Sequence, residues 1–255
     1  MSREAETGIE KMWMARHGFA YSYAAQMARD MRFRRILDIG CADGYGASII
    51  AKANPDARVT GMDHEKRATD EARATFQLPN LDFECADALR TIHATNTFDL
   101  VTSFQMIEHI PDDSGLVREM HRILKPGGSF IVTTPNREYR LQPGQKPWNR
   151  WHVREYYAEE LWGLLSRSFR DVTVLGVRGC PDAEAMERGR VAAMRKYPAL
   201  NWLRRVVPES WRRLLAKSGA FACDRRPTRE FTGEDFWVTV EDVDKSLDLL
   251  AVAQK

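Results

Sequence analysis

Three carboxylates, Asp38, Asp63 and Asp87, punctuate the first third of the chain at positions that could hold one ligand. Asp38 opens the segment Asp38-Ile39-Gly40-Cys41-Ala42-Asp43-Gly44-Tyr45-Gly46. Glycines at such a joint allow tight turning and close approach of backbone to a ligand. A glycine-rich loop alone is a weak signal, because nicotinamide enzymes and many structural turns have one. Asp63 ends the next apolar run about twenty residues on, where a carboxylate can accept both hydroxyls of a ribose. By itself it is equally a solvated strand end. Asp87 follows a third apolar run, within reach of an adenine amino group. Asp38 is expected on the rim of the ligand crevice. A carboxylate there repels a pyrophosphate and suits a cationic amino-acid moiety. A nicotinamide-dependent dehydrogenase would share the loop and Asp63 but would leave Asp38 and Asp87 without a purpose.

A second group of residues could move a proton. Phe104-Gln105-Met106-Ile107-Glu108-His109 follows a fourth apolar run, and Trp148-Asn149-Arg150-Trp151-His152-Val153-Arg154-Glu155-Tyr156 follows a fifth. An unperturbed histidine titrates near pH 6.5, which suits a general base at neutral pH. His109 is open to two roles, base or loop-ordering hydrogen bonder, and Glu108 to catalysis or backbone capping. His152 is expected to face His109 across an acceptor site, or to anchor its own loop. Tyr21, His152 and Arg154 are the candidate substrate contacts.

These residues need a scaffold that gathers loops at one edge. Strands are expected at Arg35–Ile39, Arg58–Met62, Asp82–Cys85, Phe98–Phe104, Ser129–Thr134, Val172–Val177 and Leu247–Ala253. Helices are expected at 9–31, Tyr45–Ala53, His64–Phe76, Asp112–Leu124 and Ala158–Ser168. The alternation implies a parallel sheet with helices on both faces. Right-handed crossovers put the strands' C-terminal ends on one edge, where ligands bind. Lys125-Pro126-Gly127-Gly128 reads as a helix stop and strand entry, a structural turn. We divide the single domain into an N-terminal helical cap (1–32), a core (33–180), a basic helical insertion (181–230) and a final strand returning to the sheet (231–255).

Composition narrows the setting. With 255 residues and 44% hydrophobic content, the chain can bury a substantial core. A net charge of +2 argues against a polycation that seeks nucleic acid. No signal peptide is read in Met1 to Lys11, and no apolar run is long enough to span a membrane. Cys41, Cys85, Cys180 and Cys223 form no CxxC pair, which fits a reducing, cytoplasmic setting.

Six segments in order, Ile36 to Gly46, Gly61-Met62-Asp63, Ala86-Asp87-Ala88, Phe98 to Val101, Ile107 to Ile110 and Leu124 to Gly128, resemble the class I S-adenosylmethionine-dependent methyltransferases. The similarity is to the branch shared by ubiquinone-pathway-like enzymes and bacterial glycan or natural-product methyltransferases. It covers about residues 15 to 178 and the last strand. It implies an α/β, Rossmann-like, doubly wound sheet of seven strands with an antiparallel last strand, and S-adenosyl-L-methionine as cofactor. It implies that Gly40, Ala42 and Gly44 shape the floor under the methionine part, with Asp38 beside them. Asp63, followed by His64, would hold the ribose, and Asp87 and Ala88 would meet the adenine. Phe104 and Gln105 would sit beside the sulfonium and its amino-acid tail. Ala42 departs from the family's usual glycine; alanine is small, so binding is expected to survive.

The resemblance also frames the acceptor. Related small-molecule enzymes have an Asn-x-x-His-x-x-Glu segment like that of Asn149, His152 and Glu155. Glu108, His109 and His152 also resemble part of the metal site of small-RNA 3′-terminal 2′-O-methyltransferases. Gln105 replaces the first glutamate of that site, and the lost charge weakens it for a hard cation. The expected reaction is O-methylation of a small hydroxylated metabolite, a sugar, glycan or lipid-linked glycan. The alternatives are N-methylation of an amino sugar or other natural product, metal-assisted methylation of a diol, and a silent binding protein. Residues 181–230 hold 12 Lys or Arg against 6 Asp or Glu. They read as amphipathic capping helices, as a lid over an anionic acceptor, or as a weak contact with an anionic membrane surface. No recognisable nucleic-acid module accompanies them.

Overall fold

The structure, a computed structural model, describes residues 8–196 and 230–255. Its elements run α1 (Gly8–Asp30), β1 (Arg35–Ile39), α2 (Tyr45–Ala53), β2 (Arg58–Asp63), α3 (Lys66–Thr75), β3 (Leu81–Cys85) and β4 (Phe98–Phe104). They continue with a 3-10 turn (Ile107–His109), α4 (Asp113–Ile123), β5 (Leu124–Pro135), α5 (Arg137–Arg140) and α6 (Ala158–Leu165). The remainder is β6 (Asp171–Gly179), α7 (Pro181–Lys196), β7 (Phe236–Thr239) and β8 (Asp248–Gln254).

One sheet of eight strands has the order β3-β2-β1-β4-β5-β8-β6-β7. Strands β1 to β5 pair in parallel, and β8 runs antiparallel between β5 and β6. The expected seven strands are therefore joined by an eighth, β7, which pairs antiparallel with β6 at the sheet's edge. The chain leaves β1 towards β2 on one side, while β4 lies on the other. This reversal opens a crevice at the carboxyl ends of β1 and β4. Ile39 pairs with both Met62 and Ser103, so the loops that follow β1, β2 and β4 start level with one another.

Alternating side chains build a core on each face. Leu37, Val101, Phe130 and Val132 pack against α4 and α6 through Leu116, Met120, Leu161 and Leu165. Ile36, Leu100 and Ile131 face α1 and α2, whose Ala24, Ala28, Ala47 and Ala51 are small enough for close helix–sheet approach. A third cluster, Met12, Ala183, Phe231, Phe236 and Leu247, fastens α1 to α7 and β7.

Helix α4 starts where the sequence expects, with Asp112 Oδ1 accepting from Gly115 N at 2.8 Å. The Lys125–Gly128 segment bulges, because the β4–β5 register shifts between Phe98 and Leu100. Helix α7 opens the basic segment; the rest of it, residues 197–229 with Cys223, lies outside the described residues. Among those described, no helix is long and apolar enough to cross a membrane.

Candidate active site

The loop after β1 is held in a left-handed turn sequence, with φ of 71° at Gly40, 46° at Ala42 and 80° at Gly44. Ala42 is strained there, since a Cβ disfavours this region. Asp63 holds it: Oδ2 accepts from Ala42 N at 3.0 Å, and Oδ1 accepts from Glu65 N at 2.9 Å. The carboxylate at the end of β2 thus ties the β1 loop to its own. His64 is exposed, with Nδ1 3.2 Å from Asp63 Oδ1. Gly44 heads α2, and a Cβ on it would fall 2.6 Å from the Phe83 ring. Asp87 is exposed after β3, its Oδ1 accepting from Leu89 N at 2.9 Å, while Ala88 beside it is buried.

Asp38 departs from expectation. It is fully buried rather than on the rim, because β1 is central in the sheet and α1 covers its end. Thr102 Oγ1 donates to its Oδ1 at 2.8 Å, and Oδ2 has no partner in hydrogen-bonding geometry. Burial pushes its pKa up to about 7, against the opposing effect of the Thr102 and Tyr21 hydroxyls. An ionised carboxylate here lacks a counter-charge, and a ligand ammonium would provide one.

The loops after β4 and β5 meet on the other side of the crevice. Gln105, with φ of 54°, is fixed by donating its N–H to Thr133 O at 2.9 Å. The rings of His109 and His152 pack edge to face with centroids 4.7 Å apart. His109 Nδ1 lies 3.0 Å from Trp151 O, an acceptor only, so in the neutral ring Nδ1 carries the proton and Nε2 the lone pair. His152 Nδ1 lies 2.9 Å from Glu155 Oε1, which selects the same tautomer. Burial and the neighbouring His152 lower the His109 pKa, so that ring is neutral at pH 7. Glu108 is buried, accepting from Thr134 Oγ1 at 3.0 Å through Oε2, while Oε1 is unpartnered. Burial raises its pKa to about 8. Ligand atoms of Glu108, His109 and His152 lie within 4.8 Å of one another. A cleft of about 460 Å³ opens here, lined by Gln105, His152, Trp148, Arg16, Arg140 and Arg190 among others.

The methyltransferase domain family matches residues 37–132. A probable S-adenosylmethionine-dependent methyltransferase of Mycolicibacterium smegmatis is 33% identical over 253 residues, 96% of this chain and 89% of that one. The chain belongs to the S-adenosylmethionine-dependent methyltransferases. A probable S-adenosylmethionine-dependent methyltransferase of Mycobacterium tuberculosis is 31% identical over 250 residues, covering 96% of this chain and 84% of that one. Among solved structures, a methyltransferase from Archaeoglobus fulgidus has a TM-score of 0.55 at 16% identity, covering 92% and 94% of the two chains. The [4+2]-cyclase SpnF has a TM-score of 0.56 at 19% identity, covering 92% and 81%. These two likenesses show the fold alone.

S-adenosylmethionine is accordingly this methyltransferase's cofactor, and the crevice fits it on physical grounds. Asp38 Oδ2 has no partner in hydrogen-bonding geometry, and the β1 loop, held by Asp63, turns beside it. Two expected substrate contacts are corrected. Tyr21 is buried, edge to face with Phe104 at 4.7 Å, and a Cβ on Gly46 would fall 1.8 Å from its ring. It thus supports the cofactor loop. Arg154 turns away to α4, pairing with Asp113 Oδ2 at 2.6 Å and Pro111 O at 3.3 Å. Phe104, expected beside the sulfonium, is buried at the end of β4 with its ring edge to face against Tyr21. Sequence reasoning missed Arg16, Arg140, Trp148 and Arg190. They come from α1, the post-β5 segment and α7, and no periodicity links segments so far apart.

Proposed function

We propose that the protein methylates an oxygen of a small hydroxylated metabolite, a sugar, glycan or lipid-linked glycan, in the cytoplasm. The His109–His152 pair beside Gln105 supports this reading. S-adenosylmethionine, when bound, supplies an electrophilic methyl carbon on a cationic sulfur. Gly40, Ala42 and Gly44 would form its floor, Asp38 would meet its ammonium, Asp63 its ribose and Asp87 its adenine edge. Gln105 stands between that crevice and the cleft. A hydroxyl acceptor must lose its proton, and an amine arriving neutral need not. The unprotonated Nε2 of His109, set by the Trp151 carbonyl at its Nδ1, and the neighbouring His152, which lines the cleft, favour the hydroxyl. Alignment of the acceptor supplies much of the remaining rate. The division into cap, core, insertion and returning strand accompanies this reading, with 181–230 as a lid or a membrane-surface contact. The test is transfer of labelled methyl from S-adenosylmethionine to matched hydroxyl and amino sugars. Methyl ethers are the expected products; products only at nitrogen would overturn the proposal.

A second reading has one specific support. Glu108, His109 and His152 converge closely enough to hold a divalent ion, and Glu108 Oε1 is free to bind it. Such an ion would polarise a diol in place of a histidine base. Loss of activity on dialysis against a chelator, restored by a divalent metal, would favour it; unchanged activity removes it.

A further inference from the structure

We propose that the cleft beside Gln105 and His152 binds an oxyanion, carboxylate or phosphate, carried by the methyl acceptor, through Arg16, Arg140 and Arg190. This rests on the reading of that cleft as the acceptor site and names the acceptor's chemical class.

Four arginines reach the cleft from four segments: Arg16 from α1, Arg140 from α5, Arg150 from the following loop and Arg190 from α7. Among the described residues, no aspartate or glutamate lines it. The balancing carboxylates lie behind the arginines. Arg16 Nε is 2.9 Å from Asp248 Oδ2, Arg140 Nη1 is 3.5 Å from Glu155 Oε1, and Arg190 is paired with Glu187. Three largely buried cations thus meet three carboxylates, and exposed Arg150 adds a further positive charge. A ligand entering from the cleft meets positive charge first.

The guanidinium groups are held but not saturated. Arg140 and Arg190 each lie 5.4 Å from the Trp148 ring centroid, and Arg190 lies 5.2 Å from that of Trp13. Ion pairs and aromatic faces fix the planes, which is how a fork is prepared for an oxyanion. Arg16 Nη1, Arg140 Nε and Trp148 Nε1 are buried donors with no acceptor. Buried donors are normally paired, and Asp248 Oδ1 and Glu155 Oε2 behind these arginines are unpartnered too, so it is the positive lining of the cleft itself that favours an oxyanion. The cofactor's own carboxylate is the competing occupant. Of the residues assigned to the cofactor, Gln105 alone lines this cleft, so the acceptor is favoured.

The test uses the full chain saturated with S-adenosylhomocysteine, titrated with glucuronate, glucose 6-phosphate and glucose. An acidic sugar is expected to bind at least roughly tenfold tighter than glucose, as a charge-assisted contact implies, and the tighter acid identifies the group. Arg140→Lys should weaken that binding. Because Arg140→Lys also alters the pair with Glu155, Arg150→Gln, at an exposed position, provides a second variant expected to weaken it severalfold. Equal binding of glucose and the acids overturns the proposal, as does no detectable binding of either acid. Acids that bind only without S-adenosylhomocysteine also overturn it, because the arginines then serve the cofactor. Acids that bind, while labelled methyl reaches only the nitrogen of the matched amino sugars, overturn the O-methylation reading and leave the anion site standing.

Discussion

Raising the pH from 6 to 8 should tighten S-adenosylhomocysteine binding about tenfold, with the proton on Asp38 as the cause. In the ligand-free protein burial holds this carboxyl at a pKa of about 7. A ligand ammonium beside it favours the ionised form, so the pKa falls on binding. Where the bound-state value lies well below 6, affinity follows the ionised fraction of the free protein. That fraction is about 0.09 at pH 6 and about 0.91 at pH 8, a tenfold ratio worth about 1.4 kcal/mol. About 0.9 proton should leave per complex at pH 6 and about 0.1 at pH 8. Calorimetry in buffers of different ionisation enthalpy measures both quantities. Asp38→Asn should bind more weakly at pH 8 and lose this step. Folding provides an independent sign check. The native pKa lies above the unfolded one, so the native state binds the proton more tightly. The resulting stability is present at acid pH and declines as pH rises from about 4 to about 7. The loss has an upper size of about 4 kcal/mol. Asp38→Asn should therefore melt higher than the parent at pH 8 while binding ligand worse. A wild-type affinity that is flat across this range, or a step that survives in Asp38→Asn, would refute the assignment of this carboxylate to the ammonium.

Asp63→Ala should weaken S-adenosylhomocysteine binding roughly ten- to a hundredfold, because charged hydrogen bonds are lost and the Ala42 turn loses its anchor; unchanged calorimetric affinity would remove the ribose assignment. His109→Gln and His152→Gln should each lower kcat by roughly a hundredfold with cofactor affinity retained, and an intact rate in both would remove the base and metal roles together. Glu155→Gln should lower kcat more than it raises KM and shift the acid limb of the pH profile, since Glu155 fixes the His152 tautomer; a KM effect with an unchanged profile would make its role merely structural. Gly46→Ala should destabilise the fold by about 1–3 kcal/mol, as a Cβ would strike the Tyr21 ring, and an unchanged melting temperature would contradict that packing.

The core was legible because its signals are local. β1, α2 and β4 fall on the expected residues, since an apolar run, a glycine turn or a helix stop bounds each of them. Parallel pairing follows from alternation, so the convergence of the β1, β2 and β4 loops did as well. The errors are tertiary. Asp38 reads as a rim residue in one dimension, and only the placement of α1 over the central strand buries it. Tyr21 faces inward because Gly46 leaves room for its ring. Arg154 has a partner, Asp113, some forty residues earlier, which no local pattern announces. Strand β7 has four residues and lies at an edge, too short for a clear alternation.

The division between what was legible and what was not follows a division of labour within the fold. A cyclase shares this architecture, so the sheet and its loops do not by themselves fix a reaction. The cofactor crevice is built from consecutive strand–turn–helix units of the core, whose geometry each local sequence specifies. The cleft on the other side of Gln105 is assembled from α1, α5 and α7, which lie outside those units. Its charge balance depends on Asp248 in β8 and Glu187 in α7 as much as on the arginines that line it. Exchange of a single capping helix would alter the cleft's charge while leaving the glycine turn and Asp63 in place. Acceptor choice can therefore change without disturbing cofactor binding, and substitutions in α1 or α7 are where a change of acceptor should first be sought.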